Sequence, residues 1–194
     1  MALALAAIVG TVVGYQAVAA PTGPAATTAG TADGRTGPAL PAGGTLADGV
    51  VPDGATVFDG EFPAVAHLDP DLLRALRRAA TAAADDGLEI GVNSGWRSPA
   101  YQDRLLHEAI SEYGSEEEAA RWVATAETSA HVTGDAVDTG PAVATAWLSE
   151  HGAEYGLCQV YGNEPWHFEL RPDAVDDGCP PPYADPTADP RMQQ

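Results

Sequence analysis

The sequence contains no lysine. All nine of its basic side chains are arginines, set against 28 Asp and Glu, and the formal net charge is −19 over 194 residues. A surface of that sign repels phosphate backbones and anionic lipid headgroups, which argues against nucleic acid and charged membrane surfaces as partners. Cysteine is nearly absent too, with only Cys158 and Cys179 present. Their gap rules out the compact pair that a cysteine zinc site needs. In an exported chain an even count favours one disulfide over two buried thiols. Closing a loop of roughly twenty residues, it would be worth about 3 kcal/mol on the entropic account. The chain also lacks internal repeats, and it has one long hydrophobic run, Met1–Ala20, which carries no charge. That run ends in Ala17-Val18-Ala19, as a secretory cleavage site does, although no Lys or Arg precedes it. It reads as a signal peptide or as a membrane anchor, because about 20 apolar residues can just span a bilayer. Either way the expected location is outside the cell: free, in the wall, or anchored at the surface.

Residues 21–57 are mostly Pro, Gly, Ala and Thr with few large apolar side chains, and read as a flexible linker. The folded domain is expected over 58–180, followed by an irregular acidic tail over 181–194. Asp69-Pro70 supplies an N-cap and first position for a helix carrying Leu72, Leu73, Leu76 and Ala80, stopped by Gly87. Residues 88–93 alternate as a short strand. Ser98-Pro99 opens a second helix, and Ser115 with Glu118 fits the capping box of a third bearing Ala119, Trp122 and Val123. Residues 135–138 read as a strand, 141–151 as a helix, and 157–161 and 166–170 as two closing strands. Helices early and strands late point to an α+β domain with a small, mostly antiparallel sheet and helices packed on it.

Two short segments carry the chemistry. His131 and Asp138 lie seven positions apart, which on a regular strand would face them oppositely, so the backbone must turn, and Gly134 permits that. Glu164 and His167 face the same difficulty, and Pro165, which cannot donate to a ladder, marks a bend. Trp166 and Phe168 would then face the core. Two imidazoles and a carboxylate, His131, Asp138 and His167, suit one Zn2+ per chain with the fourth corner open to water. Glu164 remains as the base that moves the water proton. Arg97, in a glycine-containing turn after a strand, is the candidate partner for an oxyanion. Ser129 and Gln102 are candidates for binding a substrate carboxylate or amide, and Asp135 for supporting or replacing Asp138. His67, His107 and His151 have no evident role.

Ser94-Gly-Trp-Arg-Ser98 with Tyr101-Gln102, then Ser129-Ala-His131 with Gly134, Ala136 and Asp138, then Glu164-Pro-Trp-His167, resemble the VanY-type zinc D-alanyl-D-alanine carboxypeptidases over roughly 62–170. The resemblance implies His131, Asp138 and His167 as zinc ligands, Glu164 as base and Arg97 as carbonyl and oxyanion binder. It also implies a substrate, the D-Ala-D-Ala end of peptidoglycan stem peptides. Two alternatives share these residues: an L-alanyl-D-glutamate endopeptidase on the same scaffold, and a non-catalytic wall-binding module that keeps zinc for structure.

Overall fold

The computed structural model describes residues 43–193. The hydrophobic run 1–20 and most of the expected linker lie outside the described residues. In chain order the elements are α1 (Pro63–Ala66), α2 (Pro70–Asp85), β1 (Gly91–Ser94), α3 (Pro99–Tyr113), α4 (Glu116–Ala119), α5 (Ala130–Thr133), β2 (Ala136–Gly140), α6 (Ala142–His151), β3 (Leu157–Gln159), β4 (His167–Leu170) and α7 (Ala174–Asp177). The strands form one antiparallel sheet in the order β1-β2-β4-β3, with helices packed on it, which is the α+β arrangement expected. Among the described residues no helix is long and apolar enough to cross a membrane.

The long helices start where their caps say they should. The Asp69 carboxylate accepts from the amides of Asp71 and Leu72, and the Ser98 hydroxyl from that of Tyr101, with Pro70 and Pro99 at the first helical positions. Leu72, Leu76, Ala79 and Ala83 recur on one face of α2 and are fully buried with Val137, Leu157 and Phe168 of the sheet. Two boundaries differ most from the sequence reading. The Leu88 amide bonds back to the Ala83 carbonyl, so Leu88 closes α2 and the first strand begins at Gly91. After α4 the amides of Trp122 and Val123 both turn back to the Ala119 carbonyl, so that helix ends at Ala119 instead of running on.

The folded body also reaches beyond both expected limits. Val50, Ala55 and Val57 are buried, the Val92 amide donates to the Ala55 carbonyl at 2.7 Å, and the Ser98 hydroxyl donates to Asp48 at 3.0 Å. Residues 43–57 are therefore packed chain and not linker. The tail after 180 is ordered into short 3-10 turns at Pro186–Ala188 and Pro190–Gln193, with Asp189 fully buried, which replaces the irregular surface expected there. Cys158 and Cys179 form the expected disulfide, with Cα atoms 5.6 Å apart.

The register of the sheet sets the site. Across β2 and β4, Val137 pairs with Phe168 and Asp138 with His167. Because neighbouring residues of a strand face opposite sides, the first pair enters the core beneath α2. The second pair then stands on the other face.

Candidate active site

Asp138 and His167 meet as a cross-strand pair. His131 joins them from α5, a single helical turn. Gly134 ends that turn with φ +83°, and a β-carbon there would lie 2.3 Å from the His67 carbonyl oxygen. No side chain fits, so this position is glycine for both conformational and steric reasons. The turn lets the seven-residue interval between His131 and Asp138 close onto one point. Glu164 arrives through the bend at Pro165, where the His167 amide returns to the Glu164 carbonyl at 3.1 Å.

Oδ1 of Asp138 lies 3.3 Å from Nε2 of His131 and 3.2 Å from Nδ1 of His167. Ligand atoms held at about 2.0–2.1 Å from one ion at tetrahedral angles stand roughly 3.3–3.4 Å apart, so these separations suit zinc. The three ligand atoms are buried and lie within 4.8 Å of one another. The other ring nitrogens settle the tautomers. Nδ1 of His131 meets the Gly95 carbonyl at 2.8 Å, and a carbonyl only accepts, so Nδ1 carries the hydrogen and Nε2 keeps the lone pair. Nε2 of His167 meets the Glu169 carboxylate at 3.4 Å, which leaves the Nδ1 lone pair for the cluster. Both imidazoles are aimed by their second nitrogens, as ligating histidines usually are.

Electrostatics divide the carboxylates. Burial would raise the pKa of Asp138, but His131, His167 and Arg97 outweigh it and hold the group well below the usual range. Glu164 is buried with little compensation and is pushed up to about 7. Its Oε1 is buried without any hydrogen-bond partner, while Oε2 lies 3.7 Å from Nδ1 of His167. His131 is lowered by burial and then by Arg97, which favours its neutral, ligating form. All four line one cleft of about 430 Å³.

Arg97 donates from Nε to Ser94 at 2.7 Å, from Nη1 to Gln102 at 3.2 Å and from Nη2 to Asp138 at 2.7 Å. Three of its five N–H groups are thus used, and two remain at the cleft wall. Gln102 is engaged at both ends of its amide, accepting from Arg97 and donating to the Ala124 carbonyl at 2.8 Å, and these contacts brace Arg97 at the cleft. Ser129 is buried at the cleft and makes no side-chain cap on α5, so its hydroxyl is not used locally in that way. Asp135 is exposed and accepts from the Thr133 hydroxyl at 2.6 Å, away from the cluster. Trp166 is likewise not in the core with Phe168: it is 39% exposed and lines the cleft. The sequence reading missed Glu169, which is buried behind His167. Its signal was available, since a residue two places along a strand shares its neighbour's face.

Comparison with known proteins agrees with this geometry. The sequence profile of the VanY family, described as D-alanyl-D-alanine carboxypeptidase, matches residues 65–173, the stretch that contains all four cluster residues. The chain belongs to this family of metallopeptidases. A D-alanyl-D-alanine carboxypeptidase of Enterococcus faecalis (strain ATCC 700802 / V583) is 33% identical over 45% of this chain and 42% of its own length. This chain therefore spans less than half the length of that relative. Among solved structures, VanYB in complex with D-alanine-D-alanine is 26% identical, with a TM-score of 0.53 over 57% of this chain and 74% of the other. The vancomycin-resistance D,D-pentapeptidase VanY of the VanB-type cassette, in complex with Zn(II), is 27% identical, with a TM-score of 0.50 over 53% and 72%.

Proposed function

We propose that this chain hydrolyses the terminal D-Ala-D-Ala peptide bond of peptidoglycan stem peptides, using one zinc ion held by His131 Nε2, Asp138 Oδ1 and His167 Nδ1. The observation that carries the catalytic reading is Glu164, a buried carboxylate with an unpartnered oxygen beside three convergent ligand atoms. Glu164 lines the cleft and this oxygen has no protein donor, which a proton-carrying role needs and a structural zinc site does not. That argues against the non-catalytic module. The family relation and the D-alanine-D-alanine complex of VanYB support the substrate class.

Bound at this site, zinc would supply Lewis acidity, bringing the pKa of a water toward 7 and polarising the scissile carbonyl. Glu164 takes the proton from the attacking water and returns it to the leaving amine nitrogen as the C–N bond breaks. Arg97 presents its two remaining N–H groups to the carbonyl oxygen as negative charge develops there. The Ser129 hydroxyl, buried at the cleft, would meet the terminal carboxylate of the substrate. Asp138 acts from Oδ1 alone, because Arg97 holds its Oδ2.

The disulfide supports an oxidising, exported setting, with residues 1–20 as signal peptide or anchor. Product masses from a purified muropeptide pentapeptide, with and without chelator, test the reading. Loss of a single alanine, abolished by chelator, is expected. Cleavage between L-Ala and D-Glu would instead select the endopeptidase, and no cleavage at all would sink both.

A further inference from the structure

The tail beyond the family match reaches back to the metal cluster. Arg191 lies 18 residues past residue 173, where that match ends (191 − 173). Its guanidinium grips Glu169 as a fork, Nη1 to Oε2 at 2.7 Å and Nη2 to Oε1 at 3.1 Å. Glu169 is 2% exposed and meets Nε2 of His167. Arg191 is itself fixed: its Nε donates to the Asp189 carboxylate at 2.9 Å and its backbone amide to the same group at 2.9 Å. Asp189 is fully buried and accepts from the Tyr161 hydroxyl at 3.2 Å, and the Tyr161 ring packs 5.0 Å from that of His167. One imidazole is therefore held at its edge by Glu169 and on its face by Tyr161, and both supports end in the tail. Arg171 also contacts Glu169 at 3.0 Å, from β4's own end.

We propose that Arg191 is a positioning residue for the metal centre, fixing the Glu169 carboxylate against Nε2–H of His167 and so setting how tightly the chain binds zinc. This rests on the zinc reading above. The physical basis is geometric: a forked arginine contact restrains the direction of the carboxylate it grips as well as neutralising its charge.

The test uses the full chain and four proteins: wild type, Arg191→Ala, Glu169→Gln and the double variant. Zinc affinity is measured by competition with a chromophoric chelator, below the melting point of each metal-free protein. Loss of an outer-shell partner typically costs 10–100-fold in metal affinity, and that loss is expected for each single variant. The double variant should be no worse than Glu169→Gln, because Arg191 acts through Glu169. Arg191→Lys, which keeps the charge without the fork, should recover part of the affinity. Zinc affinity within twofold of wild type in both single variants overturns the proposal, as does a double variant whose losses simply multiply. If Arg191→Ala does not fold, Arg191→Lys and Glu169→Gln decide the matter by the same criterion. A wild-type chain that binds no zinc would instead overturn the underlying metal reading, a result distinct from wild-type binding with unaffected variants.

Discussion

Glu164 and Glu169 flank the same imidazole, yet burial leaves them in opposite states. Glu164 has few compensating partners and is pushed up to about 7, near the pKa useful to a proton carrier at neutral pH. For Glu169, burial is outweighed by His167 and Arg191, which hold it ionised. The convergence of His131, Asp138, Glu164 and His167 was readable from residue type and from spacings that a regular strand could not satisfy. Glu169 was legible only through strand parity, because its partner Arg191 lies 22 residues further along the chain. The state of Arg97 was not readable: three contacts from three different segments define it. Its charge can be kept while its geometry is removed. Arg97→Lys should retain zinc and lower kcat by about 100-fold, the scale of one lost oxyanion donor. Steady-state kinetics beside a zinc titration check this, and unchanged kcat would remove Arg97 from the reaction.

Among the elements, α2 and α3 were legible to within a few residues, because Asp-Pro and Ser-Pro cap signals and apolar spacing agree over four turns. The four-residue α5 was not, since one turn is too short to show a period. What the sequence did show was Gly134, and its function is now concrete. Any side chain there needs a left-handed backbone, costing roughly 1–2 kcal/mol, and also collides with the His67 carbonyl. Gly134→Ala should destabilise the protein by about 2 kcal/mol or more and weaken zinc binding by displacing His131. Urea denaturation of the metal-free protein together with a zinc titration reads both effects. A variant with wild-type values would show that the α5–β2 turn does not place the ligand.

At the scale of the whole molecule, residues 43–57 of the segment that composition labels as linker, and the tail after 180, are parts of the folded body. Pro, Gly and Asp content reports the absence of a large apolar core, not the presence of long-range polar contacts such as Ser98 to Asp48 or Arg191 to Glu169. The disulfide anchors the start of that tail, so replacing both cysteines by serine should cost about 3 kcal/mol on the chain-entropy account. Denaturant midpoints measure this, and a loss below about 1 kcal/mol would contradict it.

The metal-free protein should also lose stability as the pH rises. For His167, burial is overcome by Asp138 and Glu169, giving about 9, so its stabilisation is complete below the ordinary histidine value and lost through 9. Glu164, raised to about 7, favours the folded state only while protonated and acts in the same direction. Glu169 adds a loss only as the pH falls toward 2. The metal-free melting temperature should therefore fall between pH 6 and 9, while the rise produced by zinc grows, because ligands bind deprotonated. Calorimetry on chelated and zinc-loaded protein checks this, and a metal-free midpoint that climbs with pH would refute it.

In the function proposed for this chain, three residues hold zinc and Glu164 is left free to carry protons. Glu164→Gln tests it most directly, with zinc content and turnover of a D-Ala-D-Ala peptide measured on the same preparation. The variant should hold one zinc per chain, as in wild type, with a turnover at least ~100-fold lower, the contribution of a positioned acid–base group. Normal cleavage by the variant, or loss of its zinc, would contradict it.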